Sequence, residues 1–188
     1  MNTRLILASA SERRRKILSE LGVAFDVVIP QVEEIPHAGG PRRTAEENAR
    51  RKNLWCRTVH PGRFILTADT TIGFQGRCIE KPGSPEQAVE FLRMFSGQTH
   101  TVITAVGLST PAAPPEIRAV ESSVTFQPLT DTVIRDYFSK VDPMDKAGAY
   151  DIDQHGEMLI RSFAGSRSNI MGLPAEVVGP WLREQGLL

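Results

Sequence analysis

The sequence predicts an α/β fold, and three observations support that prediction. Short apolar runs with the length of buried strands alternate along the chain with segments that carry apolar residues at helical spacing. Turn and capping residues separate these segments. The chain has 188 residues, of which 40% are apolar and 23% are charged, as in an ordinary globular protein. This length favours one domain over residues 1–188 with a substantial core.

The first third of the chain predicts two strands, two helices and one long loop. The predicted elements are, in order, a strand over 5–8, a helix over 12–21 that Ser11 caps and Gly22 ends, a strand over 23–29, a loop over 30–43 and a helix over 44–58. The first helix places Ile17, Leu18 and Leu21 on one core-facing side. The loop contains three prolines and two glycines, which is typical of an exposed and often functional segment.

The rest of the chain continues the mixed pattern. The predicted elements are a strand over 64–68, a hairpin over 72–79, a helix over 85–95, strands over 99–108 and 117–126, a helix up to about residue 139, a strand over 158–163 and a helix over 174–184. Ser84 and Pro85 form a strong helix start, and Thr130 is the candidate cap of the next helix. The strand over 64–68 ends abruptly at Asp69, which we therefore expect at the carboxyl edge of the sheet.

The composition argues against several classes of protein. Lys plus Arg and Asp plus Glu total 22 each, and the resulting zero net charge is unlike that of a general nucleic-acid binder. The two cysteines, Cys56 and Cys78, form no CxxC motif, so neither a disulfide framework nor a zinc finger is expected. The apolar run near the start is too short for a signal peptide or a membrane span, so we expect a cytoplasmic protein without a membrane partner.

The basic residues concentrate near the beginning of the chain and suggest an anion site. Residues 1–63 contain 12 Lys or Arg against 7 Asp or Glu. Arg13 to Lys16 crowd the first turns of a helix, where the backbone dipole disfavours cations unless an anion is bound. Small residues at Ser9 and Ala10 would let a phosphate approach the backbone, and Arg13 could clasp it with two hydrogen bonds. The alternative is a surface helix whose basic side chains point into water.

Acidic and basic residues elsewhere are candidates for metal and phosphate contacts. Asp69 could hold Mg²⁺ or orient a water molecule, or it could simply begin a turn. Glu34 lies in the long loop and could complete a carboxylate pair, although a solvated acidic turn has the same appearance. Lys52 and Lys81 would usually be surface lysines, but phosphate chemistry needs several cations from different segments. The common nucleotide, zinc-protease and serine-hydrolase motifs are absent from the sequence.

Seven short motifs in order resemble the Maf family of nucleoside triphosphate pyrophosphatases. The first is Leu-Ala-Ser-Ala-Ser-Glu-Arg-Arg at residues 7–14, and the others are Val-Glu-Glu at 32–34, Ala-Asp-Thr at 68–70, Glu-Lys-Pro at 80–82, Ser-Gly-Gln-Thr-His at 96–100, Asp-Lys-Ala-Gly-Ala-Tyr at 145–150 and Gly-Leu-Pro at 172–174. Together they cover almost the whole chain. The resemblance implies a curved mixed sheet flanked by helices, with a central cleft between two lobes.

The resemblance also implies an activity. The family hydrolyses nucleoside triphosphates between the α- and β-phosphates with a divalent cation, Mg²⁺ or Mn²⁺, releasing pyrophosphate. One group acts on dTTP and UTP, including modified pyrimidine forms. A sister group acts on 7-methyl-GTP and usually has Trp and Gln where this chain has Arg13 and Thr70. The chain looks like the dTTP/UTP group. The rival hypothesis is a nucleotide-binding regulator of septum formation without turnover, and a homodimer is the default assembly.

Site residues follow from the resemblance position by position. Asp69 matches the catalytic carboxylate and a metal ligand, and Glu34 matches an acid near the metal. The positions that match phosphate or specificity contacts are Ser9, Arg13, Lys52, Thr70 and Lys81.

The chain departs from the family pattern in two places. Glu12 replaces a usual Pro, which suits the helix dipole. The segment Tyr-Asp-Ile-Asp-Gln at 150–154 replaces Tyr-Gly-Ile-Gln, so Asp153 is expected to contact substrate in place of a specificity Gln. An ionised Asp only accepts hydrogen bonds, whereas an amide also donates them. Gln154 could take over the amide role by a small shift.

Overall fold

The computed structural model describes residues 4–188 and confirms the mixed α/β fold. Its strands are β1 (Leu5–Ala8), β2 (Phe25–Val28), β3 (Ile65–Phe74), β4 (Arg77–Ile79), β5 (Thr99–Ser109), β6 (Glu116–Phe126) and β7 (Ile160–Ala164). Its helices are α1 (Glu12–Glu20), α2 (Pro41–Val59), α3 (Pro85–Phe95), α4 (Asp131–Phe138), α5 (Arg167–Ile170) and α6 (Ala175–Glu184). The short helix α5 was not predicted, and α2 begins three residues before the predicted start because Pro41 occupies its first turn.

The strands form one mixed sheet in the order β2-β1-β3-β5-β6-β7, with β4 paired to β3. The three strands at the β2 side are parallel, and all the other pairs are antiparallel. The long strands β3 and β5 pair from Ile65 opposite Ser109 to Gly73 opposite Thr101. They therefore form the continuous centre of the sheet.

Strand β3 corrects the expectation that Asp69 ends a strand. The predicted strand and the first arm of the predicted hairpin are one strand, with Asp69 in its middle opposite Ala105. The strand continues through the polar residues at 69–71 because they also pair with β5. The hairpin itself is confirmed, with positive φ angles at Gln75 and Gly76 in its turn.

One edge of β3 is open in the middle. Strand β1 pairs with β3 only as far as Thr67, and β4 pairs with it only from Ile72. Among residues 4–188, no strand pairs with positions 68–71 on that edge. This gap exposes the edge of a central strand, where both of its faces can contribute side chains to one site.

Two hydrophobic cores lie on the same face of the sheet, on either side of the gap. Leu66 and Ala68 belong to the first core with β1, α1 and α6, and Ile72 and Phe74 belong to the second core with α3 and α4. Thr70 is the polar residue between these apolar pairs. The two cores are the two expected lobes, and the space between them is the expected cleft.

Helix α2 covers the opposite face of the sheet. Its buried residues are Thr44, Ala45, Asn48, Ala49, Lys52, Asn53 and Cys56. Lys52 is the charged residue among these buried side chains, and it lies over the gap in β3. In the described part of the chain, no helix is long and apolar enough to cross a membrane.

Candidate active site

A cavity of about 500 Å³ opens at the gap in β3. Strand β3, the start of α1, the loop before α2 and the segment around residue 150 contribute its lining. This volume lies within the usual range of small-molecule sites. The cleft is therefore the candidate site on geometric grounds alone.

The cleft brings together most of the residues that the sequence singled out. Seven of the eight line it: Ser9, Arg13, Glu34, Lys52, Asp69, Thr70 and Lys81. Asp153 lies outside the lining. Its carboxylate accepts a hydrogen bond from Nε of Arg167 at 3.1 Å, while Gln154 lines the cleft. The geometry thus favours Gln154 over Asp153 for contact with a ligand.

Lys52 joins the two acidic candidates. Its Nζ atom lies 2.6 Å from Oδ1 of Asp69 and 2.6 Å from Oε1 of Glu34. Lys52 and Asp69 are 8% and 6% exposed, so this pair is held in a largely dehydrated position. Glu34 reaches the same ammonium from the more exposed loop. The three side chains form one ionic cluster at the floor of the cleft, in which Lys52 and Asp69 are buried and Glu34 is exposed.

The two carboxylates of this cluster titrate in opposite directions. Burial raises the pKa of Asp69 above its ordinary value, and the nearby Lys52 and Arg14 offset this only in part. Burial also acts to raise the pKa of Glu34, but Lys52, Lys81 and Arg14 outweigh it and hold that pKa below its ordinary value. Asp69 is therefore the better proton acceptor of the two near neutral pH.

Arg14 lines the cleft but is not among the site residues that the sequence predicted. Its guanidinium donates to the carbonyl of Gly172 at 2.8 Å, to Oγ of Ser9 at 3.2 Å and to Oγ1 of Thr70 at 3.1 Å. Helical spacing could have indicated this residue, because position 14 lies on the same side of the helix as positions 17, 18 and 21. Arg14 continues the core-facing stripe of Ile17 and Leu18, whereas its neighbours on α1 do not.

Gly172 lets Arg14 reach this position. A side chain there would place Cβ 3.1 Å from Oγ1 of Thr70 and 3.5 Å from Nε of Arg14, and φ is +100°. The Gly172 carbonyl and the Thr70 hydroxyl fix the guanidinium, and Thr70 is itself 2.9 Å from the hydroxyl of Thr104. This arrangement aims a pre-organised cation at the cleft.

The start of α1 supplies a second anion-binding feature. Ser11 caps the helix by accepting a hydrogen bond from the Arg14 amide, and Ser9 accepts one from the Ser11 amide. Residues 9–14 all line the cleft. The free amides of the first turn and the helix dipole therefore face the same space as Arg14.

Asn48 fixes the loop that carries Glu34. Its side-chain oxygen accepts a hydrogen bond from the Ile35 amide at 2.7 Å, and its side-chain nitrogen donates to the Ile35 carbonyl at 3.0 Å. Asn48 is 4% exposed. This two-point contact holds Glu34 next to Lys52, and the sequence alone offered no signal for it.

The acidic residues fit a metal that brings some of its own ligands. Within residues 4–188, no three His, Cys, Asp or Glu side chains are clustered to hold a metal by themselves. Asp69 and Glu34 nevertheless both reach one cation, the Lys52 ammonium. Mg²⁺ is commonly bound by one or two carboxylates together with water and substrate phosphates. The donor set therefore suits Mg²⁺ or Mn²⁺ bound along with a phosphate ligand.

The match to a family model assigns the chain. The model described as "Maf-like protein" matches residues 4–185, which include every residue of the cleft. The chain belongs to the Maf family. A "dTTP/UTP pyrophosphatase" of Akkermansia muciniphila is 39% identical over 175 residues, covering 93% of this chain and 92% of the relative. One of Myxococcus xanthus is 38% identical and covers 98% and 94%.

Solved structures support the fold of this Maf chain. The Staphylococcus aureus Ham1 protein aligns with a TM-score of 0.53 at 16% identity, covering 97% of this chain and 99% of that one. A HAM1 protein from Coxiella burnetii aligns with a TM-score of 0.52 at 14% identity, covering 96% and 98%. At such identities the likeness concerns the arrangement of strands and helices.

Proposed function

We propose that this Maf protein hydrolyses dTTP and UTP to the nucleoside monophosphate and pyrophosphate. The observation that carries the proposal is the buried Asp69, held by Lys52 in the same cleft as Arg14 and the free amides of α1. The names of the relatives support the same reaction and the same substrates. The charges around Asp69 suit a phosphate group better than a neutral ligand.

The triphosphate is expected at the floor of the cleft. Arg14, Lys52 and Lys81 converge there from α1, α2 and the loop after β4. Because a triphosphate carries several negative charges, cations from separate segments can each engage a different phosphate. The hydrogen bonds of Arg14 to neutral oxygens leave its charge available to the substrate.

Asp69 is the proposed general base. Its raised pKa makes it a stronger proton acceptor than an ordinary aspartate. In the proposed step, Asp69 takes a proton from a water molecule whose oxygen attacks the α-phosphorus. The bond from that phosphorus to the bridging oxygen of the β-phosphate breaks, and pyrophosphate leaves with the bond's electron pair.

Asp69 and Glu34 are the residues that would hold Mg²⁺ or Mn²⁺. The bound cation would supply charge neutralisation at the phosphates. Lys52 lies between the two carboxylates and keeps them close together despite their mutual repulsion.

The product identifies the reaction. Purified protein with Mg²⁺ is incubated with dTTP, UTP, CTP and 7-methyl-GTP, and pyrophosphate and orthophosphate are measured separately. We expect pyrophosphate from dTTP and UTP, and an almost complete loss with Asp69→Asn. The matched control is Asp136→Asn, which changes an exposed carboxylate on α4.

Three results would contradict the proposal. Orthophosphate as the sole product would place the cleavage elsewhere in the triphosphate. A preference for 7-methyl-GTP would assign the chain to the other substrate group. Tight nucleotide binding without turnover, with either Mg²⁺ or Mn²⁺, would favour a regulatory protein.

A further inference from the structure

Asn169 is a fully buried amide on α5, and its side chain fastens this short helix to the sheet. Its Oδ1 accepts a hydrogen bond from the Thr104 amide at 3.2 Å. Its Nδ2 donates to the carbonyl of Val102 at 3.1 Å and to Oγ of Ser122 at 2.9 Å. Both N–H groups and the oxygen of the side chain are therefore engaged, which fixes the position of the residue between β5 and β6.

The backbone carbonyl of Asn169 is the point where two hydrogen-bonded paths from Arg14 meet. On the first path, Nε of Arg14 donates to the carbonyl of Gly172 at 2.8 Å, and the Gly172 amide donates to the Asn169 carbonyl at 2.9 Å. On the second path, Nη2 of Arg14 donates to the Thr70 hydroxyl at 3.1 Å. The Thr70 hydroxyl lies 2.9 Å from that of Thr104, which donates to the Asn169 carbonyl at 2.9 Å. One buried residue thus holds the guanidinium at two of its nitrogens.

The second path has a fixed direction. A carbonyl oxygen only accepts hydrogen bonds, so the Thr104 hydroxyl gives its single proton to Asn169. Thr104 must therefore accept a hydrogen bond from Thr70, whose own proton is directed away from the cleft. The oxygen of Thr70 is then free to accept from the Arg14 guanidinium. Because all the donors of this path point the same way, the Thr70 hydroxyl does not turn its proton towards the cation.

Thr104 and Asn169 lie behind the wall of the cleft. Both residues are fully buried, whereas Arg14, Thr70 and Gly172 line the cleft itself. A ligand in the cleft therefore meets the ends of the two paths and not the residue on which they converge. Any effect of Thr104 or Asn169 on such a ligand has to pass through the residues that they hold.

We propose that Asn169 and Thr104 are positioning residues that hold the Arg14 guanidinium where it binds a phosphate group of the substrate. The inference rests on the proposed function, in which Arg14 engages the triphosphate, and deepens it. An arginine side chain loses considerable rotamer freedom when it is fixed in one place. Because the two paths fix Arg14 before the substrate arrives, that loss does not weaken phosphate binding. When a path is interrupted, the side chain regains rotamers and phosphate binding weakens.

The first test needs no ligand. Thr104→Val removes one hydroxyl and keeps the branched shape of the side chain, so it interrupts the second path alone. In NMR spectra of isotope-labelled protein, the Nε–H signal of Arg14 is the one that Arg14→Gln removes, and its heteronuclear NOE reports how rigidly the group is held. We expect this NOE to fall in Thr104→Val and to recover in Thr104→Ser, which keeps the hydroxyl. The matched control is Thr101→Val, the same change on the opposite face of β5, which should leave the NOE unchanged.

The second test is a double-mutant cycle of Thr104→Val and Arg14→Gln. For each variant we measure the Kd for pyrophosphate with Mg²⁺ by calorimetry and kcat/KM for UTP. Thr104→Val should weaken pyrophosphate binding and lower kcat/KM about tenfold each, a size typical of residues in one hydrogen-bond network. In the Arg14→Gln background the same change should affect neither value, whereas a general loosening of the fold would lower both. Asn169→Ala removes the side chain that anchors the common end of both paths and should have a larger effect than Thr104→Val.

Thermal melts show which variants are folded, and Thr104→Val decides the outcome if Asn169→Ala is not. An unchanged NOE or an unchanged pyrophosphate Kd in folded Thr104→Val would overturn the proposal. So would an equal loss of pyrophosphate affinity in the Arg14→Gln background, because Thr104 would then act independently of Arg14. An unsubstituted protein that binds no pyrophosphate would also count against it. If the unsubstituted protein binds pyrophosphate but hydrolyses no nucleotide, the proposed function fails, while the NOE and the Kd still decide the role of Asn169 and Thr104.

Discussion

His100 should make the stability of the fold depend on pH. It lies on β5 with 2% of its surface exposed, stacked on Phe95 with ring centroids 4.3 Å apart. Its Nε2 atom is 2.8 Å from the hydroxyl of Tyr150, and its buried Nδ1 atom has no hydrogen-bond partner among residues 4–188. Burial lowers the pKa of His100 to about 4, because the charged imidazolium would lose its hydration there.

The magnitude follows from the two protonation states. In the unfolded chain the imidazole binds a proton near pH 6.5, whereas in the folded protein it does so only near pH 4. Between these values the unfolded state binds more protons, so stability rises with pH. The contribution of His100 is complete above about pH 6.5 and is lost as the pH falls towards 4. The loss amounts to about 3 kcal/mol, with a slope of at most about 1.4 kcal/mol per pH unit.

The assay is urea unfolding followed by tryptophan fluorescence from pH 4 to pH 8. We compare the unsubstituted protein with His100→Phe, which keeps a planar ring in the aromatic cluster but cannot titrate. The variant also leaves the Tyr150 hydroxyl without its partner, but that loss is the same at every pH in this range. The difference between the two free energies of unfolding should therefore change by about 3 kcal/mol across the range.

The control is His155→Asn, because His155 is exposed and has a positive φ angle that Asn tolerates. We expect the pH dependence of this control to stay close to that of the unsubstituted protein. Parallel curves for the unsubstituted protein and His100→Phe would refute the reasoning, since they would mean that folding does not suppress protonation of His100.

Three further predictions follow from the structure. Asn48→Ala should release the loop at Ile35, because two hydrogen bonds worth about 1 kcal/mol each are lost. The variant should therefore have a lower kcat/KM and be cleaved faster within residues 30–40 in limited proteolysis. Glu47→Ala is the control on the same helix, and equal proteolysis rates for the two variants would contradict the prediction. Gly107→Ala should lower the free energy of unfolding by about 1–3 kcal/mol, since its Cβ would lie 2.5 Å from a threonine hydroxyl of β3 and 3.2 Å from a backbone oxygen of α2. The control is Gly83→Ala, whose Cβ would meet only the end of a flexible side chain at 3.4 Å, and it should unfold at nearly the same urea concentration as the unsubstituted protein. Chelation with EDTA should abolish pyrophosphate release and added Mg²⁺ or Mn²⁺ should restore it, so undiminished release in EDTA would count against a metal-assisted reaction.

The sequence by itself determined much of the local structure and which charged and polar residues were candidates for the site. Capping residues predicted helix starts that the structure confirms, since Ser84 and Thr130 accept hydrogen bonds from the amides three residues later. Ordered motifs predicted the family, which the family model confirms. These features depend on neighbours a few residues apart, so the order of residues alone contains them.

The tertiary structure decided which of these residues meet and how each is charged. Asp69 lies in the middle of β3 because pairing with β5, more than thirty residues away, continues through it. Arg14 points into the cleft because it lies on the core-facing side of α1. Arg13 points to Asp151 because that carboxylate, 138 residues later in the sequence, accepts its hydrogen bond. Asp153 faces Arg167 outside the cleft, whereas its match to a specificity Gln of the family pattern predicted a position inside it. Contacts between residues far apart in the sequence set these orientations. The periodicity of apolar residues within one helix or strand gives no information about which side chain of another segment will contact it.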